Sequence, residues 1–255
     1  MTAVDTLPAW SNAVDLSGRT VLVVGGSGGV GEGVVRALLA SGATVVATGR
    51  DRGRLDALAE RNASERLVVR QLDALDAGLD ATIAELVEQT GPLDGAVVSV
   101  ASWGDQGRKS VISLTDAEWD ALLAPNLTSV FRVYRAVVPH LRRTGALVLL
   151  NGYSAEIPFP GSAGVALSAA AAKSMTRSLA AELAGRGPRV YDVILGVVRT
   201  RARQLAGIDD PRWIDGTEVG AHVAELVAGT SPLAPLDLHY FTDKAAGPQP
   251  VPPER

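Results

Sequence analysis

Short apolar runs alternate with longer amphipathic segments along the chain. The runs lack a strict alternation of apolar and polar residues, which is typical of strands buried on both faces of a parallel sheet. We predict strands over Thr20–Val24, Thr44–Thr48, Leu67–Leu72, Ala96–Val100, Ala146–Leu150 and Val190–Leu195, with a further strand at Leu236–Phe241. We predict helices over Val30–Ala40, Arg52–Arg61, Leu79–Gln89, Asp116–Leu141 and Ala163–Ala184, with a last helix closing at Leu226.

This regular order of strand and helix predicts the fold class. Successive βαβ units are right-handed and build a parallel sheet with helices on both faces. We therefore expect an α/β fold, a Rossmann-type doubly wound parallel sheet in a three-layer α/β/α single domain. The expected division is an N-terminal arm over 1–15, the Rossmann domain over 16–242 and a proline-rich tail over 243–255, extended or disordered rather than helical.

Composition excludes several classes of function. The 255 residues carry a net charge of −4 without a basic block, so no nucleic-acid partner is expected. The absence of cysteine excludes disulfides and thiolate metal sites, and the three histidines have no metal-binding spacing. The N-terminal segment lacks the pattern of a signal peptide, and the apolar stretch Gly164–Ala172 is too short for a membrane span. We expect a cytoplasmic protein without membrane contacts or a metal.

A glycine cluster, Gly25-Gly26-Ser27-Gly28-Gly29-Val30-Gly31, follows the first predicted strand and opens the first helix. Glycines allow a tight turn and a close approach of phosphate to the backbone, and the helix N-terminus offers free amide groups. This context predicts a dinucleotide site with contacts from Gly25, Ser27, Gly29, Val30 and Gly31. The alternative is a tight turn without a ligand.

The end of the second strand bears on which dinucleotide is bound. A free ribose 2′-hydroxyl is usually held by an acidic residue near this position, but Arg50 stands here. A guanidinium suits a 2′-phosphate, so NADP(H) is favoured over NAD(H). Alternatively, Arg50 lies in solvent, and Asp51 caps the next helix.

Several motifs together carry a family resemblance. They are Gly25-x3-Gly29-x-Gly31, Asp73 after the third strand, Asn126 in Pro125-Asn126-Leu127, Arg177–Leu183 and Gly196–Thr200. With these motifs, residues 16–230 resemble the short-chain dehydrogenase/reductase family. The resemblance implies that Asp73 contacts adenine, that Ala101 lines the cofactor site, and that Val198 and Thr200 contact the nicotinamide amide and phosphates. Val24 and Leu195 depart from the family's threonine and proline.

The alignment that these motifs set between this chain and the family implies that the family's catalytic side chains are missing. Its serine, tyrosine and lysine positions hold Gly152, Val165 and Ala169, and only Asn126 of the catalytic tetrad is kept. Loss of a positioned general acid costs about 10²–10⁴ in rate. Loss of the lysine removes a charge-assisted hydrogen bond to the ribose, worth about ten- to a hundredfold in affinity, so cofactor binding is expected to be weak.

Other polar residues offer replacements for the missing groups. A proton could be donated or accepted by Asn126 with water, or by Tyr153, Ser154 or Glu156 after the fifth strand. The alternative is that Tyr153, Ser154 and Glu156 are ordinary polar loop residues without a catalytic role. The segment 102–106 after the fourth strand is a second candidate wall of the substrate site. Trp103 in this segment packs either on a substrate or only on other residues of the protein. Lys173 is interpreted as a surface or subunit-interface residue, and the string Tyr240-x3-Lys244 as coincidence.

Two functional classes follow from this pattern. The first is a non-standard NADP(H)-dependent oxidoreductase that acts on a small carbonyl, alcohol or enoyl substrate without the usual Tyr–Lys pair. The second is a redox-inactive member, either a lyase, isomerase or cyclase, or a structural subunit beside an active relative. The small-residue stripe Ala163–Ala172 resembles the family's association face, which implies a homodimer or homotetramer, or a hetero-oligomer with another reductase.

Overall fold

A seven-stranded parallel sheet with helices on both faces forms the framework of the computed structural model, which describes residues 8–104 and 107–254. Its strands are β1 Thr20–Val24, β2 Thr44–Gly49, β3 Leu67–Gln71, β4 Leu93–Val98, β5 Leu141–Gly152, β6 Arg189–Leu195 and β9 Leu238–Phe241, and a separate pair comprises β7 Val198–Arg199 and β8 Ile214–Asp215. The α-helices are α1 Gly29–Ala40, α2 Arg52–Arg61, α3 Leu79–Thr90, α4 Asp116–Leu123, α5 Ser129–Val137, α6 Ala163–Leu183, α7 Arg201–Leu205 and α8 Gly216–Ala228.

The strand order confirms the predicted Rossmann-type sheet. The order is β3-β2-β1-β4-β5-β6-β9, and all neighbouring strands run parallel. The carboxyl ends of the strands therefore meet at one edge, and the direction of winding reverses between β1 and β4. In open α/β sheets, ligands bind in the crevice at such a reversal.

Two apolar layers hold the helices against the sheet. On one face, Val34 of α1 and Val223 of α8 pack with Val23 and Val148, all with no solvent exposure. On the other face, residues of α3 and α5 such as Ile83 and Val133 pack on the sheet. Burial on both faces explains why the central strands read as continuous apolar runs.

The prediction of one continuous helix over Asp116–Leu141 is wrong. The chain forms α4, a π-helical turn over Ala124–Thr128, α5 and a 3-10 turn over Val138–His140, and β5 already begins at Leu141. Proline lacks an amide hydrogen and clashes with the preceding turn, so Pro125 and Pro139 explain both interruptions.

Two strand predictions need correction at their ends. β4 covers Leu93–Val98 and so begins and ends earlier than Ala96–Val100, although the Ser99 amide still donates to the Val24 carbonyl at 2.8 Å. β5 extends beyond Ala146–Leu150 in both directions, and its first residue pairs with Leu93. The short elements α7, β7 and β8 have no counterpart among the predicted elements.

The described part of the N-terminal arm packs on the C-terminal part of the domain. The Trp10 ring meets the Phe241 ring edge to face at 5.1 Å between centroids. Glu225 of α8 accepts hydrogen bonds from the Ser11 hydroxyl at 3.0 Å and the Asn12 amide at 2.9 Å. The tail forms turns and one antiparallel bridge between Tyr240 and Gln249. Predictions that fall on residues 1–7, 105, 106 and 255 lie outside the described residues.

Candidate functional site

The glycine cluster forms the turn between β1 and α1, as predicted. Gly25 has a φ of +87°, and a Cβ atom there would lie 2.2 Å from the Ser99 carbonyl oxygen, so only glycine fits. Gly28 is the N-cap residue of α1, and no side chain caps the helix. The first-turn amide groups are thus left for an anionic ligand at the carboxyl edge of the sheet.

A cavity of about 690 Å³ opens beside this turn. It brings together five of the residues predicted to bind the cofactor: Gly25, Ser27, Arg50, Asp73 and Ala101. The Asp73 carboxylate accepts from the Leu75 amide at 2.9 Å, which fixes it in the cavity wall. The remaining predicted contacts, Gly29, Val30, Gly31, Val198 and Thr200, do not line this cavity.

Gly29 lies against Thr200 instead. A Cβ atom at Gly29 would be 2.8 Å from the Thr200 Cβ, so the segment after β6 packs directly on the start of α1. Thr200 caps α7 by accepting from the Arg203 amide at 3.4 Å. Gly29 also lines a neighbouring cavity of about 650 Å³ together with Arg199 and Arg201.

Three arginines line the end of the 690 Å³ cavity next to β2. Arg50, Arg52 and Arg54 follow one another at every second position, and this spacing was visible in the sequence but only Arg50 was predicted. Arg52 is paired with Asp56 at 2.9 Å, whereas neither the Arg50 nor the Arg54 guanidinium has a partner among the described residues. As predicted, Asp51 caps α2 by accepting from the Arg54 amide at 3.0 Å. This end of the cavity therefore suits an additional phosphate.

Asn126 holds the loop after β4 in place. Its amide nitrogen donates to the carbonyls of Ser102 and Leu122 at 2.8 Å each, and its oxygen accepts from the Ser102 amide at 2.8 Å. The side chain is buried in the π-helical turn. All these bonds go to backbone groups, so the geometry assigns Asn126 a positioning contact. Its predicted catalytic role stays a prediction.

The residues predicted to surround the reacting group follow β5. Val165 and Ala169 are half-buried, one helical turn apart at the start of α6. Gly152 ends β5, and a Cβ atom there would lie 3.3 Å from the Ser154 hydroxyl oxygen. The Ser154 hydroxyl therefore lies near the place a residue-152 side chain would occupy. Neither it nor the Tyr153 hydroxyl has a hydrogen-bond partner among the described residues, so both remain able to bind a substrate.

A buried polar pair lies directly beneath these residues. Asn151 of β5 donates to the Ala169 carbonyl at 3.0 Å and to Asp192 Oδ2 of β6 at 3.2 Å, while its oxygen accepts from the Gly152 amide at 2.9 Å. Asp192 has no solvent exposure, and its Oδ1 has no hydrogen-bond partner among the described residues. Burial raises the pKa of Asp192 to about 7, although the hydrogen bond from Asn151 and the charge of Lys173 oppose this.

Lys173 is part of the same region rather than a free surface residue. Its ammonium group is 2.6 Å from Glu156 Oε1, and the Tyr240 hydroxyl is 3.5 Å from the same oxygen. Lys244 forms ion pairs with Asp215 instead. The two members of the Tyr240-x3-Lys244 string thus bind different acids. No cluster of metal-binding side chains occurs in residues 8–104 and 107–254.

Comparison with known proteins assigns the family. A family profile described as enoyl-(acyl carrier protein) reductase matches residues 25–230. The 2,3-dihydro-2,3-dihydroxybenzoate dehydrogenase of Bacillus subtilis is 32% identical over 74% of this chain and 73% of its own length. The 2-(R)-hydroxypropyl-CoM dehydrogenase of Xanthobacter autotrophicus is 30% identical over 84% of this chain and 86% of its own length.

Solved structures agree with this result. The structure of a dehydrogenase/reductase from Sinorhizobium meliloti is 28% identical, with a TM-score of 0.75, and the match covers 86% of this chain and 91% of that one. The chain belongs to the short-chain dehydrogenase/reductase family of oxidoreductases, whose members use nicotinamide cofactors. The described part of the chain contains no helix with the length and apolarity of a membrane span.

Proposed function

We propose that this protein is an NADP(H)-dependent oxidoreductase that acts on a small carbonyl, alcohol or enoyl substrate without the family's Tyr–Lys pair. The observation that carries the proposal is the 690 Å³ cavity, because it is lined by Gly28, the N-cap residue of α1, together with Asp73 and a cationic end. These residues fit the adenosine and phosphate parts of a dinucleotide. Arg50 and Arg54 would hold the 2′-phosphate, and the amides at the start of α1 would hold the pyrophosphate.

The bound nicotinamide would supply or accept the hydride, and the protein would hold the reacting oxygen. Ser154 supports this role because its hydroxyl oxygen lies 3.3 Å from the position that a Cβ atom at residue 152 would occupy. Tyr153 precedes it on the same 3-10 turn, Tyr153–Ala155, and carries the second hydroxyl. Asn126 fixes the facing loop through Ser102. Val165 and Ala169, in the first turns of α6, cannot act as a general acid, so we expect a slow reaction.

The decisive experiment titrates the purified protein with NADPH and NADH, followed by fluorescence and calorimetry, and then assays NADPH oxidation with a panel of aldehydes, ketones and enones. We expect NADPH to bind more tightly than NADH and turnover to depend on the 153–154 turn. Ser154→Ala and Tyr153→Phe should each lower kcat, whereas Ser174→Ala, an exposed change on α6, serves as the control. NADPH binding without turnover on any substrate would favour a redox-inactive member, and failure to bind either dinucleotide would refute the proposal.

A further inference from the structure

The turn that carries Tyr153 and Ser154 is held by groups other than its own hydroxyls. Neither hydroxyl has a hydrogen-bond partner in the described part of the chain, and the Glu156 amide closes the turn by donating to the Tyr153 carbonyl at 3.0 Å. A single 3-10 turn has poorer hydrogen-bond geometry than an α-helix and does not fix its side chains by itself. The contacts at the two ends of the turn therefore decide where the two hydroxyls lie.

The end of the turn next to β5 is held by a buried asparagine. Gly152, the N-cap residue of the turn, donates its amide to the Asn151 side-chain oxygen at 2.9 Å. The side-chain nitrogen of Asn151 donates to the Ala169 carbonyl of α6 at 3.0 Å and to Asp192 of β6 at 3.2 Å. This end of the turn is therefore tied to the sheet and to α6 together.

The other end of the turn is held by an ion pair with α6. Glu156 directly follows the turn, and the Lys173 ammonium lies 2.6 Å from its Oε1. The Tyr240 hydroxyl of β9 lies 3.5 Å from the same oxygen. Exposed ion pairs contribute little, but only 23% of the Lys173 side chain and 17% of the Glu156 side chain are exposed. Solvent and salt therefore screen this pair much less than a pair on the open surface.

The register of the sheet brings Tyr240 to this carboxylate. Asn151, Ile194 and Tyr240 are partners on β5, β6 and β9, so their side chains share one face of the sheet. Tyr240 is only 6% exposed. Burial, followed by the charge of Glu156, raises the pKa of Tyr240, so its hydroxyl keeps its proton at neutral pH and can donate to Glu156. Both ends of the turn are thereby tied to the same face of the sheet.

We infer that Lys173 and Tyr240 are positioning residues, which hold Glu156 and through it keep the Tyr153 and Ser154 hydroxyls directed at the reacting oxygen of the substrate. The inference rests on the proposed function, which assigns the reacting group to these two hydroxyls. Lys173 acts through Glu156 and not through the cofactor. Its replacement should therefore alter turnover and leave the affinity for NADPH unchanged.

The kinetic test compares Lys173→Met, Lys173→Arg and Lys244→Met in the full chain. Lys244 is a matched control, because 30% of its side chain is exposed and its acidic partners, Asp215 and Glu218, belong to β8 and α8. Lys173→Met should lower kcat about tenfold or more, since a small misplacement of reacting groups costs up to about a hundredfold in rate. The dissociation constant of NADPH should stay the same. Lys173→Arg keeps the charge and should restore most of kcat, and Lys244→Met should leave kcat unchanged.

Hydrogen-exchange mass spectrometry reads the position of the turn without turnover. In Lys173→Met, the amides of residues 153–156 should exchange at least about tenfold faster than in the parent. The Ser102 amide, which donates to Asn126 at 2.8 Å in the loop after β4, should keep its rate. Lys244→Met should leave the exchange of both loops unchanged.

Three results would overturn the inference. Unchanged exchange at 153–156 would mean that other contacts hold the turn, and equal acceleration in both loops would mean that Lys173 only stabilises the whole domain. An active parent whose kcat does not respond to Lys173→Met would show that the hold does not serve the reaction. If the parent turns over no substrate of the panel while exchange at the turn alone responds, the positioning contact stands and the proposed function fails.

Discussion

Replacement of Asp192 by asparagine should stabilise the protein at alkaline pH. Asp192 is fully buried in β6, and one carboxylate oxygen has no hydrogen-bond partner among the described residues. Its charged neighbours act in both directions, because Lys173 favours the ionised form whereas Glu156 and Asp237 disfavour it. Burial outweighs the favourable contacts and raises the pKa from the ordinary 3.8 to about 7.

The size and direction of the effect follow from this difference. Between pH 3.8 and about 7, the unfolded chain loses the proton while the folded protein keeps it, so the free energy of unfolding falls as the pH rises. Each pH unit costs about 1.4 kcal/mol, which gives about 4 kcal/mol above pH 7. Asp192→Asn keeps the acceptor for Asn151 and removes the titration, but its unpaired amide costs about 1–3 kcal/mol. We expect a net gain of about 1–3 kcal/mol at pH 8.

Urea unfolding followed by circular dichroism at pH 5 and pH 8 checks this prediction. The stability of the variant relative to the parent should improve by about 3 kcal/mol between the two pH values, because the fixed cost of the amide cancels in this comparison. Asp120→Asn on the exposed surface of α4 serves as a matched control and should show no such change. If Asp192→Asn and the parent lose stability in parallel from pH 5 to pH 8, Asp192 is already ionised in the folded protein and the reasoning is wrong.

Three further predictions concern the cofactor site and the N-terminal arm. Arg50→Gln should weaken NADPH binding about ten- to a hundredfold in calorimetry and leave NADH binding unchanged, and an equal loss for both would contradict a 2′-phosphate contact. Gly29→Ala should lower the free energy of unfolding in urea by about 1–3 kcal/mol, because its Cβ meets Thr200 at 2.8 Å, and Thr200→Gly should relieve most of that loss. Glu225→Ala removes the acceptor of the Asn12 amide, which should then exchange at least about tenfold faster in hydrogen-exchange mass spectrometry; unchanged exchange would mean that other contacts hold the arm.

The sheet was predictable because each central strand is buried on both faces and so appears as an apolar run. The start of β5 was missed for the opposite reason: Arg142, Arg143 and Thr144 are exposed, and nothing apolar marks them as a strand. The broken helix was predictable in principle, since Pro125 and Pro139 stand in the sequence. A single helix was predicted instead because the amphipathic pattern continues through both prolines.

The candidate site likewise contains features that local sequence predicts and features that only the fold creates. The cap at Asp51 depends on a residue three positions away, and the glycine cluster itself marks the turn at Gly25, so local sequence predicts both, although the contact that requires glycine at position 25 is with distant Ser99. The pair formed by Asn151 and Asp192 joins residues 41 positions apart, and only the register of β5 against β6 brings them together. Sequence alone gives Asp192 as one polar residue in an apolar strand, without the partner that explains it.

Cofactor binding and catalysis depend on different kinds of atoms in this fold, and this explains why one can persist without the other. The end of the cavity proposed for the pyrophosphate is formed by backbone groups whose placement follows from the β1–α1 turn. In the proposed function, chemistry after β5 would depend on side chains, and Gly152, Val165 and Ala169 would stand at those positions. Asn151 contacts the backbone, not the side chains, of Gly152 and Ala169, and its one side-chain bond is to Asp192, so these positions can vary without disturbing the pairing of β5 and β6. A dissociation constant for NADPH therefore reports only on the cavity beside the β1–α1 turn. Only turnover, and its response to Ser154→Ala, reports on the side chains that follow β5.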